Sequence, residues 1–314
     1  MKKGLMAAII GVSIIACPIM YALVGPALSH HQIEILKVLI AVTACSALYC
    51  FVAGELATNN SQMDKLWSLL PIAYVWIVAG MGGMDLRLVV MAVLTTLWGA
   101  RLTFNFGRKG AYSIRFWSGE EDYRWVKLRQ RKEFQPRWKW MIFDLLFISI
   151  YQNVLVLIIT FPALLAVDSA RPFGLIDGVA AVLMLVCIVY ETIADEQQWK
   201  FQSRKHAMLK EGKKLEELPL PYRLGFNTTG LWGVSRHPNY LAEQSTWVAL
   251  YLFTIGAGLS VFNWSMIGAL LLIVLFIGST AVSEEMSAGK YADYRNYIKN
   301  VNKYWPGKRY ESQQ

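Results

Sequence analysis

Long apolar runs fill this chain, each broken by a shorter polar or charged stretch. Eight of them reach or approach the roughly 20 residues a helix needs to cross a bilayer core. They cover residues 5–28, 33–57, 66–83, 86–106, 141–166, 175–194, 240–261 and 264–282. The third is the shortest, and Gly80, Gly82 and Gly83 blur its end. A tight turn near Asn263 separates the last two, which predicts a helical hairpin. The first run follows Met1-Lys2-Lys3 and is longer than the roughly 7–15 apolar residues of a secretory signal, so it reads as an uncleaved helix. The pattern predicts an all-α fold: a polytopic transmembrane helical bundle of about eight helices, or seven.

Composition moves the same way. The chain is 55% hydrophobic and only 17% charged, too little charge for the polar shell of a 314-residue soluble domain. That disfavours a disordered chain, a disulfide scaffold and an ordinary soluble enzyme. The net charge of +9 would suggest nucleic acid in a soluble protein, but here loop topology accounts for it. With a cytoplasmic N-terminus, segments 1–4, 58–65, 107–140, 195–239 and 283–314 hold 27 of the 31 Lys and Arg residues. Such an excess on one side predicts both termini in the cytoplasm. The exceptions are Lys37, Arg87, Arg101 and Arg171. The Lys-Lys start and this bias favour a bacterial inner membrane over the endoplasmic reticulum. Cys17, Cys45, Cys50 and Cys187 all lie in apolar runs and read as small buried hydrophobes, and no His cluster has metal spacing, so no metal is expected.

No repeat or flexible linker divides the chain, so it reads as one integral membrane domain over 1–314. Two loops, 107–140 and 195–239, exceed what a connector needs. The first mixes Tyr112, Phe116, Trp117, Tyr123, Trp125, Trp138 and Trp140 with Arg and Lys, the composition of an interfacial belt or amphipathic helix.

Polar groups at the ends of membrane helices are functional candidates. After the sixth run, Glu191, Asp195, Gln198 and Gln202 recur at helical spacing and continue toward Arg204 and Lys205. This is either a carboxylate and amide stripe for a ligand or a solvated helix end. The segment Thr229–Glu243 is richer. Pro238 suits the first position of a helix, which places a helix N-terminus beside Arg236 and His237, a ready anion site. Asn239 and Glu243 then share a face, suited to a ribose or an amide; the plainer alternative is a helix cap with a structural His. Glu284-Glu285 and Tyr291, Tyr294 and Tyr297 close the chain, placed either to stack on a planar ring or to dock a tail helix on headgroups.

The stretch Gly230-Leu231-Trp232 through Arg236-His237-Pro238-Asn239-Tyr240, with Glu243 and Trp247, resembles the signature of a membrane family grouped with the steroid 5α-reductase C-terminal domain and the sterol reductases. Asn59–Ser68, Leu97–Leu102, Glu121–Trp125, Gln152 with Pro162, and Ala194–Gln197 also fit, so the resemblance covers about residues 55–310. It implies an N-terminal hairpin over 1–58 and a reductase-like region over 59–314, with the cofactor-binding half at about 190–310. The implied activity is NADPH-dependent reduction of a C=C bond in a lipid-like or steroid-like enone, by an oxidoreductase acting on a CH–CH group. Cofactor residues on this resemblance and on the spacing above are Glu191, Asp195, Gln198, Arg204, Lys205, Trp232, Arg236, His237, Asn239, Tyr240, Glu243, Glu285, Tyr291 and Tyr294. Arg204, Lys205 and Arg236 are the cations expected to meet phosphates.

The N-terminal half lacks the Gln-Glu pair of steroid 5α-reductases, and alignment on Arg101 puts Trp98 where their Tyr stands. Hydride addition still needs an acid near the acceptor, for which Asp64, Tyr74, Arg101 and Gln152 are the candidates. The competing resemblance is to S-adenosylmethionine-dependent methyltransferases of the isoprenylcysteine or phospholipid type, which share Arg-His-Pro-x-Tyr and an acidic pair followed by Tyr-x-x-Tyr. A third reading is a lipid-binding membrane protein without catalysis. The expected partners are a hydrophobic small molecule or lipid and the membrane lipids, with no nucleic acid and no obligate protein partner.

Overall fold

A computed structural model describes residues 18–311, and these form helices and turns without a strand. After helical residues 18–23, the helices are α1 (His30–Ala57), α2 (Gln62–Leu66), α3 (Leu70–Met81), α4 (Leu86–Gly107), α5 (Tyr123–Arg129), α6 (Arg137–Leu165), α7 (Leu175–Lys210), α8 (Pro238–Gly256), α9 (Ile267–Lys290) and α10 (Tyr294–Asn300). Most of the first apolar run, 5–28, lies outside the described residues.

Among the described residues, five helical segments are long and apolar enough to cross a membrane: α1, α4, α6, α7 and the stretch Trp264–Lys290 containing α9. Their outward faces support that use. Leu48 and Leu56 on α1 and Val182, Val186 and Val189 on α7 are all exposed, apolar side chains that water would penalise and lipid would not. The third run gives a helix of only 12 residues, since the chain turns through Trp67–Leu69 before Pro71 enters the first turn of α3. α8 starts at Pro238, as its sequence predicts, but Asn239, Glu243 and Gln244 make its first turns polar, and it is not among the five. Asn263 does form the turn before α9: its side-chain carbonyl accepts from the Ser265 N–H and hydroxyl. α6 is not uniformly α-helical. Residues Asp144–Tyr151 form a π-helical stretch between two α-helical ones.

The chain divides into two compact units. Residues 18–183 with 247–272 make the larger, and 184–246 with 273–311 the smaller. Inside the larger unit, Arg87 at the start of α4 is 1% exposed and grips Asp177 through Nε at 2.7 Å and Nη2 at 3.1 Å. Arg87 Nη2 also donates to the carbonyls of Arg171, Pro172 and Gly256. A side chain at Gly256 would stand 2.2 Å from Asp177 Oδ1, so the end of α8 must be glycine for this pair to close. Of the out-of-place cations, Arg87 thus forms a buried latch, while Arg171 is exposed and contributes its carbonyl to it. The smaller unit is built on an aromatic core of Phe226, Tyr294, Tyr297 and Tyr310 with Val301.

Candidate functional site

In the smaller unit the turn before α8 is held from two sides. Against α7, the Leu231 N–H donates to Gln197 Oε1 at 2.8 Å and Trp232 Nε1 to the Ala194 carbonyl at 2.9 Å. Gly230 permits this approach: its φ is +57°, and a Cβ there would meet Gln197 Oε1 at 2.4 Å. Against the C-terminal segment, the N–H groups of Arg236 and His237 donate to the carbonyls of Asn302 and Lys303 at 2.9 and 3.0 Å. Tyr310 N–H returns to the Gly233 carbonyl at 2.7 Å, and the Tyr297 hydroxyl donates to the Trp232 carbonyl.

Arg236 and His237 are buried, and both converge on one carboxylate. Arg236 Nε donates to Glu284 Oε1 at 2.7 Å, and His237 Nε2 lies 3.0 Å from the same oxygen. Arg236 Nη1 also donates to the carbonyls of Ile298 and Val301. The anion beside the start of α8 is therefore the protein's own Glu284. Arg236, expected from sequence to meet a phosphate, is engaged in a cross-link between α9, the end of α10 and the turn. Lys205 is likewise engaged: it is 4% exposed, and its Nζ donates to the Gly225 carbonyl at 2.7 Å. Of the three expected phosphate cations, Arg204 is the exposed one, with its guanidinium over the Tyr222 ring.

The next residues of α8 are served differently. Asn239 Nδ2 reaches Asp195 Oδ1 at 3.4 Å, which joins the α8 face to the α7 stripe predicted from spacing. Asn239 Oδ1, Gln198 Oε1 and the Tyr190 hydroxyl are buried atoms without a hydrogen-bond partner. Glu191 and Glu243 are buried at 4% and 5% exposure. Tyr240 stacks on His237 at 5.2 Å and meets Phe276 edge-on at 4.7 Å. Tyr291 and Tyr294 pack on Phe226 in the aromatic core, where burial pushes the Tyr294 phenol up to about 12 and raises that of Tyr297 as well. Glu285 is exposed. Adjacent helical residues point about 100° apart, so only one of the acidic pair faces the motif, and it is Glu284.

A family profile matches residues 50–301. The chain belongs to that family, described as "Protein of unknown function (DUF1295)". It is also 39% identical over 257 residues to the uncharacterized protein C594.04c of Schizosaccharomyces pombe, across 79% of this chain and 73% of the yeast protein. No solved structure matches the chain. The DUF1295 match takes in both the Arg-His-Pro-Asn-Tyr segment and the larger unit's candidates.

Those candidates sit on separate supports. Asp64 on α2 accepts from Trp125 Nε1 at 2.7 Å, with Arg124 3.9 Å away, and burial raises its carboxyl above the usual range. Tyr74 on α3 is fully buried, its hydroxyl 2.9 Å from that of Thr43. Gln152, 7% exposed, follows the π-helical stretch, and Arg101 lies half-buried on α4. Asp64 belongs to a clasp that sequence alone did not reveal. Asn60 N–H donates to Glu121 Oε1 at 2.8 Å, Asp122 N–H to the Ser61 hydroxyl at 2.9 Å, and the buried Lys65 Nζ to the carbonyls of Phe116 and Ser118 at 2.7 and 2.6 Å. Two segments that fit the reductase resemblance, Asn59–Ser68 and Glu121–Trp125, are thereby locked together.

Proposed function

We propose that this protein is an NADPH-dependent reductase of a C=C bond in a lipid-like, enone-bearing substrate, with the cofactor held by the smaller unit. The observation that carries this reading is the Asp195–Asn239 contact with the unpartnered Asn239 Oδ1 and Gln198 Oε1 beside it. Buried acceptors of this kind suit the hydroxyls of a ribose or the amino group of a carboxamide, and a buried polar atom left unmatched is costly. NADPH supplies the hydride. In this reading Asp195, Gln198, Asn239 and Glu243 bind its ribose and nicotinamide amide, Trp232 and Tyr240 border it, and Arg204 meets phosphate. Arg236, His237 and Glu284 hold the turn in place. The candidates for the acid that balances charge at the acceptor are Asp64, Tyr74, Arg101 and Gln152. The same proposal takes the chain as a bundle of seven or eight spans with both termini in the cytoplasm of a bacterial inner membrane.

One observation favours a second reading, an S-adenosylmethionine-dependent methyltransferase. Glu284 meets Arg236 and His237 directly, and Tyr297 bonds the same turn, the set that the methyltransferase pattern shares. Thermal unfolding of the detergent-purified protein separates the two. A ligand at 100 times its dissociation constant stabilises by about 2.7 kcal/mol. The reductase reading expects this from NADPH and not from S-adenosylmethionine; the reverse result rejects it.

A further inference from the structure

A second set of buried polar atoms lies inside the larger unit, running from the clasp residue Asn60 toward Tyr74. On the inward face of α1, Thr43, Ser46, Cys50 and Gly54 follow one another at helical spacing, all buried. Facing them, α6 presents Asp144, Ser149 and Asn153, at 1%, 0% and 0% exposure. The π-helical stretch puts Ser149 five residues after Asp144 on the same side, and the Ser149 hydroxyl reaches Asp144 Oδ1 at 3.4 Å. Asn153 Nδ2 lies 3.7 Å from Cys50 Sγ. A point at the Cβ position of Gly54 is 3.3 Å from Asn60 Nδ2 and 3.6 Å from Asp144 Oδ2, so the clasp residue Asn60 stands at the mouth of this row.

Four atoms along the row make no well-formed hydrogen bond: Ser46 Oγ, Asn60 Nδ2, Asp144 Oδ2 and Asn153 Oδ1, on side chains all more than nine-tenths buried, with Asn60 only loosely engaged with Asp144 and Ser46 with Cys50. They comprise an amide donor, two acceptors and a hydroxyl that can be either, spread from the clasp inward. From Gly54 to Thr43 the helix rises about 16 Å, roughly half the thickness of a hydrocarbon core. At the inner end the Thr43 hydroxyl bonds Tyr74. At the outer end Asn60 Oδ1 accepts from Arg129, which pairs with Glu121 at the solvent edge.

We propose that this row is a hydrated proton path, in which bound water links the clasp to mid-membrane and Asp144 takes up and releases the proton. Water with two to four polar partners is the occupant that unmatched donors and acceptors in sequence accommodate. A carboxylate within a membrane helix is a costly feature whose use is commonly proton transfer. The charged and titratable groups that face Asp144 are Glu55 and Cys50 on α1 and Arg129 on α5. Hydration and proton exchange stand without the reductase reading. If that reading holds, they meet its need: the hydride forms one new C–H bond as the C=C π bond breaks, and one proton forms the other.

Infrared spectroscopy of the purified protein tests the proposal across a pH titration and after transfer to heavy water. The expected result is a carboxyl band lost in Asp144→Asn that shifts in heavy water within the mixing time. Gly54→Val, which narrows the neck at Asn60, should slow that shift at least tenfold. Radiolytic hydroxyl labelling of the unmodified protein, which needs no variant, should mark Cys50. Three results overturn the proposal: no Asp144 band at any pH where the protein stays folded, a band that shifts only on unfolding, or absence of labelling at Cys50. Ligand binding plays no part in these readings, so failure here is distinct from failure of the reductase reading.

Discussion

Arg236 and Asn239 stand three residues apart, and the fold treats them in opposite ways. Arg236 is 7% exposed and has a carboxylate and two carbonyls as acceptors. Asn239 has one long contact, to Asp195 at 3.4 Å, and a buried oxygen without a partner. A saturated buried charge is a fastener, because removing either side strands the other. An unsaturated buried amide is an opening for a ligand, because its free atom gains whatever bonds it. One short motif therefore contains both a structural part and a candidate binding part, and residue type alone does not separate them.

Breaking the fastener has the largest expected effect. Glu284→Ala or Arg236→Ala should each cost about 3–5 kcal/mol of unfolding free energy, as for other buried pairs that lose one partner. The double variant should cost much less than the sum of the two, read by denaturant titration in detergent. Breaking the opening should act on ligand instead. Asn239→Ala and Asp195→Ala should leave unliganded stability within about 1 kcal/mol and remove the roughly 2.7 kcal/mol that saturating NADPH adds. If Asn239→Ala destabilises the empty protein as strongly as Arg236→Ala, the contrast fails.

A pH series sharpens the same comparison through the aromatic core behind the fastener. Burial raises the Tyr294 phenol from 10 to about 12, so the folded state favours its neutral form. That contribution is complete below pH 10 and is lost as pH rises toward 12, at about 1 kcal/mol per pH unit. Tyr294→Phe should flatten the fall in melting temperature over that window. The smallest effect belongs to the exposed neighbour of Glu284: Glu285→Gln should change stability by less than about 0.5 kcal/mol.

Local signals in the sequence were followed closely by the fold. Pro238 starts α8, Asn263 turns the chain before α9, and the stripe from Glu191 to Gln202 lies on one unbroken helix, α7. Each of these depends on a few neighbouring residues, whose spacing is visible in a linear reading. The partners of distant charges were not visible. Arg87 and Asp177 are 90 residues apart, Lys65 and Phe116 51, and Arg236 and Glu284 48. Only packing brings such groups together. The choice of Glu284 over Glu285 is a matter of helical phase on α9, and counting forward from the buried Thr280 by one turn of about 3.6 residues points to position 284. Asp144 carries no signal in the linear pattern, because it sits at the edge of a long apolar run and only the π-helical stretch that begins there buries it.

The most direct test of the cofactor assignment is a fluorescence titration of NADPH with the purified protein and with Asn239→Ala. The account predicts saturable binding by the unmodified protein and at least a tenfold weaker dissociation constant for the variant. Equal binding by both, or saturable binding of S-adenosylmethionine in place of NADPH, would contradict it.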